Sequence, residues 1–264
     1  MKAYKDLYEQ IITKGTTKKS RQGITTLSLH GAMLQHDMSQ GFPLLTTKKI
    51  NFKHIVVETL WYLMGTGDIS FLQENDVKIW DAFTKADGTI GPTYGYQWRR
   101  FNGSYQHDQL QDVIKTLKSN PDSRRMIING WNPLQLKDMA LPPCITQMQF
   151  LANNGKLDLI ISQRSADFAI GVPYDIAEMA LILSIIAELT GFTPGVLTIM
   201  YGDIHIYEDH LEDLNMQMNR GVGTLPTLKL INTKDFEYLD DFEVENFILR
   251  DYKPQSFIKY KVFV

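Results

Sequence analysis

The chain has 264 residues, 44% hydrophobic and 22% charged, enough to bury a sizeable core in one large domain or two small ones. Its net charge of -3 lacks the basic excess that long nucleic acids demand, but a few converging arginines can still hold small anions. One cysteine, Cys144, and six scattered histidines exclude an internal disulfide and a zinc-type cluster, so the sequence predicts a reducing cytosolic setting and no metal.

The opening MKAYKDLYEQ is polar and lacks the apolar core of a signal peptide. Tyr4, Leu7, Tyr8, Ile11 and Ile12 fall at helical spacing, which predicts a first helix with Gly15 as its C-terminal cap. A polar segment holding Arg21 follows, then a strand over 25–29. Phe52, Ile55, Val56, Thr59, Leu60 and Leu63 predict a second, amphipathic helix. Leu110, Val113, Ile114 and Leu117 predict a third, ended by Asn120-Pro121. Strands are expected over 126–131, 145–151 and 157–162, the last two joined by a hairpin turn at Asn153-Asn154-Gly155-Lys156. An apolar helix is expected from about residue 174. Its core at 177–189 is too short for a bilayer and carries Glu178 and Glu188 at its edges. A strand over 196–201, a polar helix over 208–218 and an extended, aromatic end complete the chain. With no repeat or linker, one α+β domain over 1–264 is the simplest reading.

Several residues carry chemical promise, each beside a plainer reading. A lone cysteine is usually a small buried hydrophobe. Cys144, however, follows Leu141-Pro142-Pro143, and two prolines before a strand fix the direction of a thiol. A nucleophilic thiol also needs a nearby cation. Arg124 and Arg125 read as a solvated surface pair or as a bidentate phosphate clamp. His205 and Tyr207 share a face at strand period, either as core polar groups or as contacts to a ligand hydroxyl. Glu58 stands in an apolar helix, where a carboxylate is costly unless paired or functional. Trp80 and Tyr94 are core or pocket aromatics.

In order along the chain stand Gly41-Phe42-Pro43-Leu44-Leu45-Thr46-Thr47-Lys48-Lys49, Glu58-Thr59-Leu60-Trp61, Ile79-Trp80-Asp81 and Gly91-Pro92-Thr93-Tyr94-Gly95. Asn120-Pro121-Asp122-Ser123-Arg124-Arg125, Pro142-Pro143-Cys144 and Gln163-Arg164-Ser165-Ala166-Asp167 follow. Gly171-Val172-Pro173-Tyr174-Asp175-Ile176-Ala177 and Gly202-Asp203-Ile204-His205-Ile206-Tyr207 complete the set. So many ordered matches are far more specific than a lone fingerprint. Together they resemble the thymidylate synthase family along nearly the whole chain.

That resemblance implies a mixed sheet flanked by helices and a homodimer formed through the sheet. It implies transfer of a one-carbon unit from 5,10-methylenetetrahydrofolate to C5 of a pyrimidine deoxynucleotide, in the cytoplasm, with no nucleic acid, membrane or metal involved. By the same resemblance Cys144 is the nucleophile at C6, Glu58 handles protons through water and Tyr94 serves C5 proton removal. Arg164 and Asp167 join these as catalytic positions. Arg21, Arg164 and Ser165 match the phosphate site, completed by Arg124 and Arg125 of the other subunit. His205 and Tyr207 match contacts to the 3′-hydroxyl. Lys48, Trp80, Asp167, Ile170, Gly171 and Tyr174 match folate-site positions, and Val264 the closing tail.

The chain departs from the dUMP-using pattern at Asp175, where those enzymes place asparagine. An amide answers uracil with both its oxygen and its NH2. An ionised carboxylate repels uracil O4 and suits cytosine protonated at N3, whereas a protonated one satisfies either base. The exchange resembles deoxycytidylate hydroxymethylase, a branch acting on dCMP whose members are typically viral. Phe83, Ile145 and Gln147 also replace family residues, and are expected to reshape the pocket. Trp80 and the tail Lys259-Tyr260-Lys261-Val262-Phe263-Val264 argue instead for a site closed to water, hence for methylation. The expectation is dCMP hydroxymethylation. Thymidylate synthesis from dUMP, C5-methylation of dCMP and a non-catalytic nucleotide- or RNA-binding relative stand as alternatives.

Overall fold

Alternating burial along the long strands builds a sheet with one covered face and one open face. The computed structural model describes residues 1–20, 23–103 and 107–263. Arg21 and Val264 lie outside the described residues. The elements run α1 (Lys2–Lys14), β1 (Thr16–Lys19), β2 (Thr25–Asp37), α2 (Phe52–Met64), α3 (Ser70–Glu74), α4 (Gly95–Arg99) and α5 (Gln109–Ser119). They continue β3 (Ile127–Asn129), β4 (Ile145–Asn153), β5 (Lys156–Asp167), α6 (Gly171–Thr190), β6 (Thr193–Tyr207), α7 (Leu211–Met218), β7 (Thr227–Leu230) and β8 (Phe247–Arg250).

Among the described residues the main sheet has six strands in the order β1-β2-β6-β5-β4-β3, and β7 and β8 form a separate pair. Every pairing is antiparallel except β5 with β6, which α6 connects. The expected mixed α+β architecture is the one observed. Ala32, Leu34 and His36 oppose Tyr201, Ile199 and Leu197 in register, and all six are buried. Met33 opposes Met200 on the other face, where they are 52% and 43% exposed. α6 packs against β5 and β6, and α1 against β2.

Local pattern fixed some elements closely. The hairpin closes at Asn153↔Lys156, with Asn154 and Gly155 at φ 49° and 73°, as a two-residue primed turn requires. Gly15 does end α1, but in extended conformation (φ -66°, ψ 153°) rather than the left-handed one. Glycine is needed there because a Cβ would stand 2.4 Å from the Ile11 carbonyl oxygen. β2 and β6 are far longer than their sequence signals, and α6 starts at Gly171. α2 is not amphipathic in its setting. Residues 55–63 are all buried, since α4 and α6 flank it. Glu58 therefore has no solvent side to turn to. No helix among the described residues is long and apolar enough to cross a membrane.

Candidate active site

Cys144 sits immediately before β4, in a loop clamped from β5. Its carbonyl accepts from the Arg164 backbone N–H at 2.8 Å. The Arg164 guanidinium donates to Pro143 O at 2.9 Å through Nε and to Pro142 O at 2.8 Å through Nη2. The Cys144 N–H donates to the Tyr94 hydroxyl at 3.0 Å. Four bonds thus fix a half-buried thiol. Burial pushes that thiol above its ordinary pKa, Arg164 opposes the rise, and Asp175 adds to it. The resting group is a thiol.

Tyr94 is held in a strained backbone conformation, with φ 45° and ψ -117°, a region a bulky residue adopts only when its surroundings dictate it. The next residue shows the dictate. A Cβ on Gly95 would lie 1.9 Å from the Tyr62 carbonyl oxygen. The Tyr94 ring stacks on Tyr62 at 5.3 Å and meets the edge of Trp80 at 5.5 Å.

Two cavities meet at the thiol and share Leu141, Cys144, Ser165, His205 and Tyr207. One, of ≈ 400 Å³, is rimmed by Lys18, Lys19, Ser20 and Arg164, a cationic setting for a small anion. The Lys18 ammonium pairs with Asp203, whose carboxyl also lies 3.4 Å from His205 Nδ1. Burial opposes ionisation of Asp203, but His205 and Lys18 outweigh it and hold the group well below the usual carboxylate range. His205 and Tyr207 project together from β6, their rings 5.3 Å apart and perpendicular.

The other cavity, of ≈ 330 Å³, is lined by aromatics and by four carboxyls: Glu58, Asp167, Asp175 and Glu178. Trp80 Nε1 and the Tyr62 hydroxyl donate to Glu58 Oε1 at 2.7 and 3.0 Å. Glu58 and Glu178 lie side by side, and burial raises both above the ordinary carboxylate value. Two buried carboxyls so placed share a proton. Asp175 Oδ2 accepts from Gln163 Nε2 at 2.7 Å. Burial, with Glu58 and Asp167 nearby, raises Asp175 to about 7 despite that bond. Asp167 Oδ1 accepts from the N–H groups of Ala169 and Ile170 at 2.9 and 3.3 Å, which fixes it at the mouth of α6.

The C-terminal segment closes the second cavity with Val262 and Phe263. Its anchors are Lys261 O on His210 Nε2 at 2.8 Å, the Tyr260 hydroxyl on Gln217 Oε1 at 2.7 Å, and Phe263 against Tyr207 at 4.5 Å.

The structure therefore brings together Cys144, Glu58, Tyr94, Arg164, Ser165, Asp167, Asp175, His205 and Tyr207 with Trp80, Ile170, Gly171 and Tyr174. Arg124 and Arg125 are exposed and line neither cavity. Lys48 lines neither as well. It is buried, donates to Ala169 O at 2.7 Å, and is lowered to about 8 by that burial. Phe83 lines the cavity, packed on Trp80 at 5.8 Å. Ile145 and Gln147 do not line it. Gln147 is exposed and reaches toward Asn129, so the expected reshaping of the pocket by these two is not seen. Sequence reasoning missed Gln163, Glu178, His210 and Lys18. Glu178 carried the same signal as Glu58, a carboxylate amid apolar helical neighbours, and Gln163 stood in the motif of Arg164; Lys18 and His210 carried none. A family model described as thymidylate synthase matches residues 2–264.

Proposed function

The chain belongs to the thymidylate synthase family, and from that premise we propose that it hydroxymethylates dCMP at C5. Enzymes of this family move a one-carbon unit from 5,10-methylenetetrahydrofolate to C5 of a pyrimidine nucleotide. The observation that carries the base assignment is the Asp175 carboxyl, facing the cavity beside the thiol and held on Gln163.

The phosphate fits the Lys18, Lys19 and Arg164 lobe, and the sugar hydroxyl fits His205 and Tyr207. The base then enters the carboxyl-lined lobe past Cys144. Raised to about 7, Asp175 holds a proton for N3 and an acceptor for N4. As the Cys144 sulfur, its thiol proton released to solvent, bonds to C6, the C5=C6 π pair moves to C4=C5 and the C4=N3 pair to N3, which takes the Asp175 proton. The developing charge is neutralised where it forms. C5 becomes nucleophilic and accepts the one-carbon unit that the folate co-substrate supplies. Ile170, Gly171, Tyr174 and Trp80 offer the apolar surface suited to a flat pterin. Tyr94 is placed for removal of the C5 proton, and Glu58 for holding a water. Loss of that proton and departure of tetrahydrofolate leave an exocyclic methylene on the nucleotide. Addition of the water gives the hydroxymethyl group, and the Cys144 sulfur then leaves C6 as the N3 proton returns to Asp175, restoring the ring.

A second reading, methylation, draws support from the docked tail and Trp80, which close the cavity. Mass spectrometry of products from dCMP and dUMP, each with methylenetetrahydrofolate, separates the readings. The proposal expects one added CH2O on dCMP and no absorbance rise from dihydrofolate. Methylated product with that rise overturns it. The reading also places the protein in the cytoplasm, as the family suggests, and takes it as a homodimer, supported by the exposed Met33–Met200 sheet face and by Arg124 and Arg125 standing free of their own chain's cavities.

A further inference from the structure

Asp175 discriminates only while ionised, when its second oxygen repels uracil O4. In its protonated form it offers one donor and one acceptor, which answers cytosine N3 and N4 or uracil O4 and N3-H equally well. A second group must break the tie at position 4, where cytosine carries two N–H bonds and uracil only lone pairs.

Glu178 is such a group. It is 2% exposed, lines the same cavity, and follows Asp175 by three residues on α6. That spacing puts the two Cβ atoms about 5–6 Å apart on one helix face, a gap that one amino nitrogen bridges with hydrogen bonds to both. Glu178 Oε1 is enclosed and has no hydrogen-bond partner. Its neighbour is another carboxyl, Glu58, already occupied by Trp80 and Tyr62. Two buried carboxyls tolerate each other only with a proton between them. That bridge uses one Glu178 oxygen and leaves the other wanting a donor, a costly state in a buried group. Of the two N4 hydrogens of cytosine, one lies on the N3 side, toward Asp175. The other points along the C5 edge, where Glu58 is placed for the chemistry.

We propose that Glu178 is a specificity-determining residue: bridged by a proton to Glu58 through one oxygen, it accepts the C5-side N4–H of cytosine with the other. The inference rests on the dCMP reading above. Uracil O4 meets the same oxygen lone pair to lone pair and is rejected.

The test measures kcat/KM for dCMP and dUMP in the wild type, Glu178→Gln and Glu178→Leu. Glutamine reproduces the bridged acid, with its NH2 donating to Glu58 and its carbonyl left free, so the dCMP:dUMP ratio should stay within about threefold. Leucine keeps volume without an acceptor, and the ratio should fall roughly tenfold or more. An equal loss on both nucleotides in Glu178→Leu overturns the proposal, because it marks a partner of Glu58 only. So does an unchanged ratio. Should Glu178→Leu not fold, competition binding to the wild type decides. N4-methyl-dCMP, lacking one N–H, should bind at least tenfold more weakly than dCMP, and equal binding overturns the inference. A wild type that prefers dUMP sinks both this inference and the dCMP reading. A wild type that prefers dCMP while Glu178→Leu keeps its ratio sinks this one alone.

Discussion

Cys144 and Asp175 face one another's consequences. The carboxyl helps push the thiol pKa up, yet it carries the proton that the ring needs once sulfur has added. Replacing Cys144 by serine should lower kcat/KM on the order of 10³-fold or more, because a hydroxyl at neutral pH is far less nucleophilic than a thiolate. Nucleotide affinity measured by calorimetry should change little, since the phosphate and sugar contacts remain. Asp175 also has a pH signature in stability. Burial raises its pKa to about 7 from the ordinary aspartate value of 3.8, so the native state binds the proton more tightly than the unfolded one. The carboxyl is harmless below about pH 4. It destabilises progressively as pH rises from there to about 7, then levels off. The full cost is at most about 4 kcal/mol. Asp175→Asn should therefore melt higher than the wild type at pH 8, with the gap closing toward pH 4. Parallel melting curves at all pH values would contradict a raised Asp175.

At the scale of elements, the site hangs on joints that leave no room. α4 begins on strained Tyr94 because Gly95 presses against the Tyr62 carbonyl in α2. Gly95→Ala should cost about 1–3 kcal/mol by overpacking, read as a lower melting temperature. It should also reduce turnover, by displacing the hydroxyl that holds the Cys144 N–H. The sequence made some elements legible and hid others for a common reason. α1, α5 and the β4–β5 hairpin follow from local periodicity and turn chemistry, so they stand close to where pattern puts them. The full reach of β2 and β6 depends on their pairing with each other over Thr26↔Tyr207 to Asp37↔Val196, which no window of sequence contains. The all-round burial of α2 depends likewise on α4 and α6. In the site, Cys144, Arg164 and His205 were readable through their ordered motifs. Gln163 stood in the same motif as Arg164 but with no role of its own, and His210 stood in none. Their importance lies in reaching Asp175 and Lys261 across the fold, and the residue types alone say nothing of that.

At the scale of the whole molecule, the open sheet face and the stranded arginines belong to one argument. Met33 and Met200 form an exposed apolar pair. Toward the other end of the same sheet, Gln149 on β4, the strand beside the β3 edge, donates to the Arg124 carbonyl at 3.2 Å, so the backbone at Arg124 is held while both arginine side chains stay exposed. In a two-fold dimer a residue that cannot serve its own site can serve its partner's, and the exchange is reciprocal. An Arg124→Ala/Arg125→Ala variant and a Cys144→Ala variant should each be nearly inactive alone. Mixed and allowed to exchange subunits, half of the dimers become hybrid. Each hybrid then contains one complete site, with the thiol from one chain and the arginines from the other, and about a quarter of wild-type activity should return. Recovery on mixing is the measurement. A mixture that exchanges subunits yet stays inactive would show that Arg124 and Arg125 act, if at all, within their own chain.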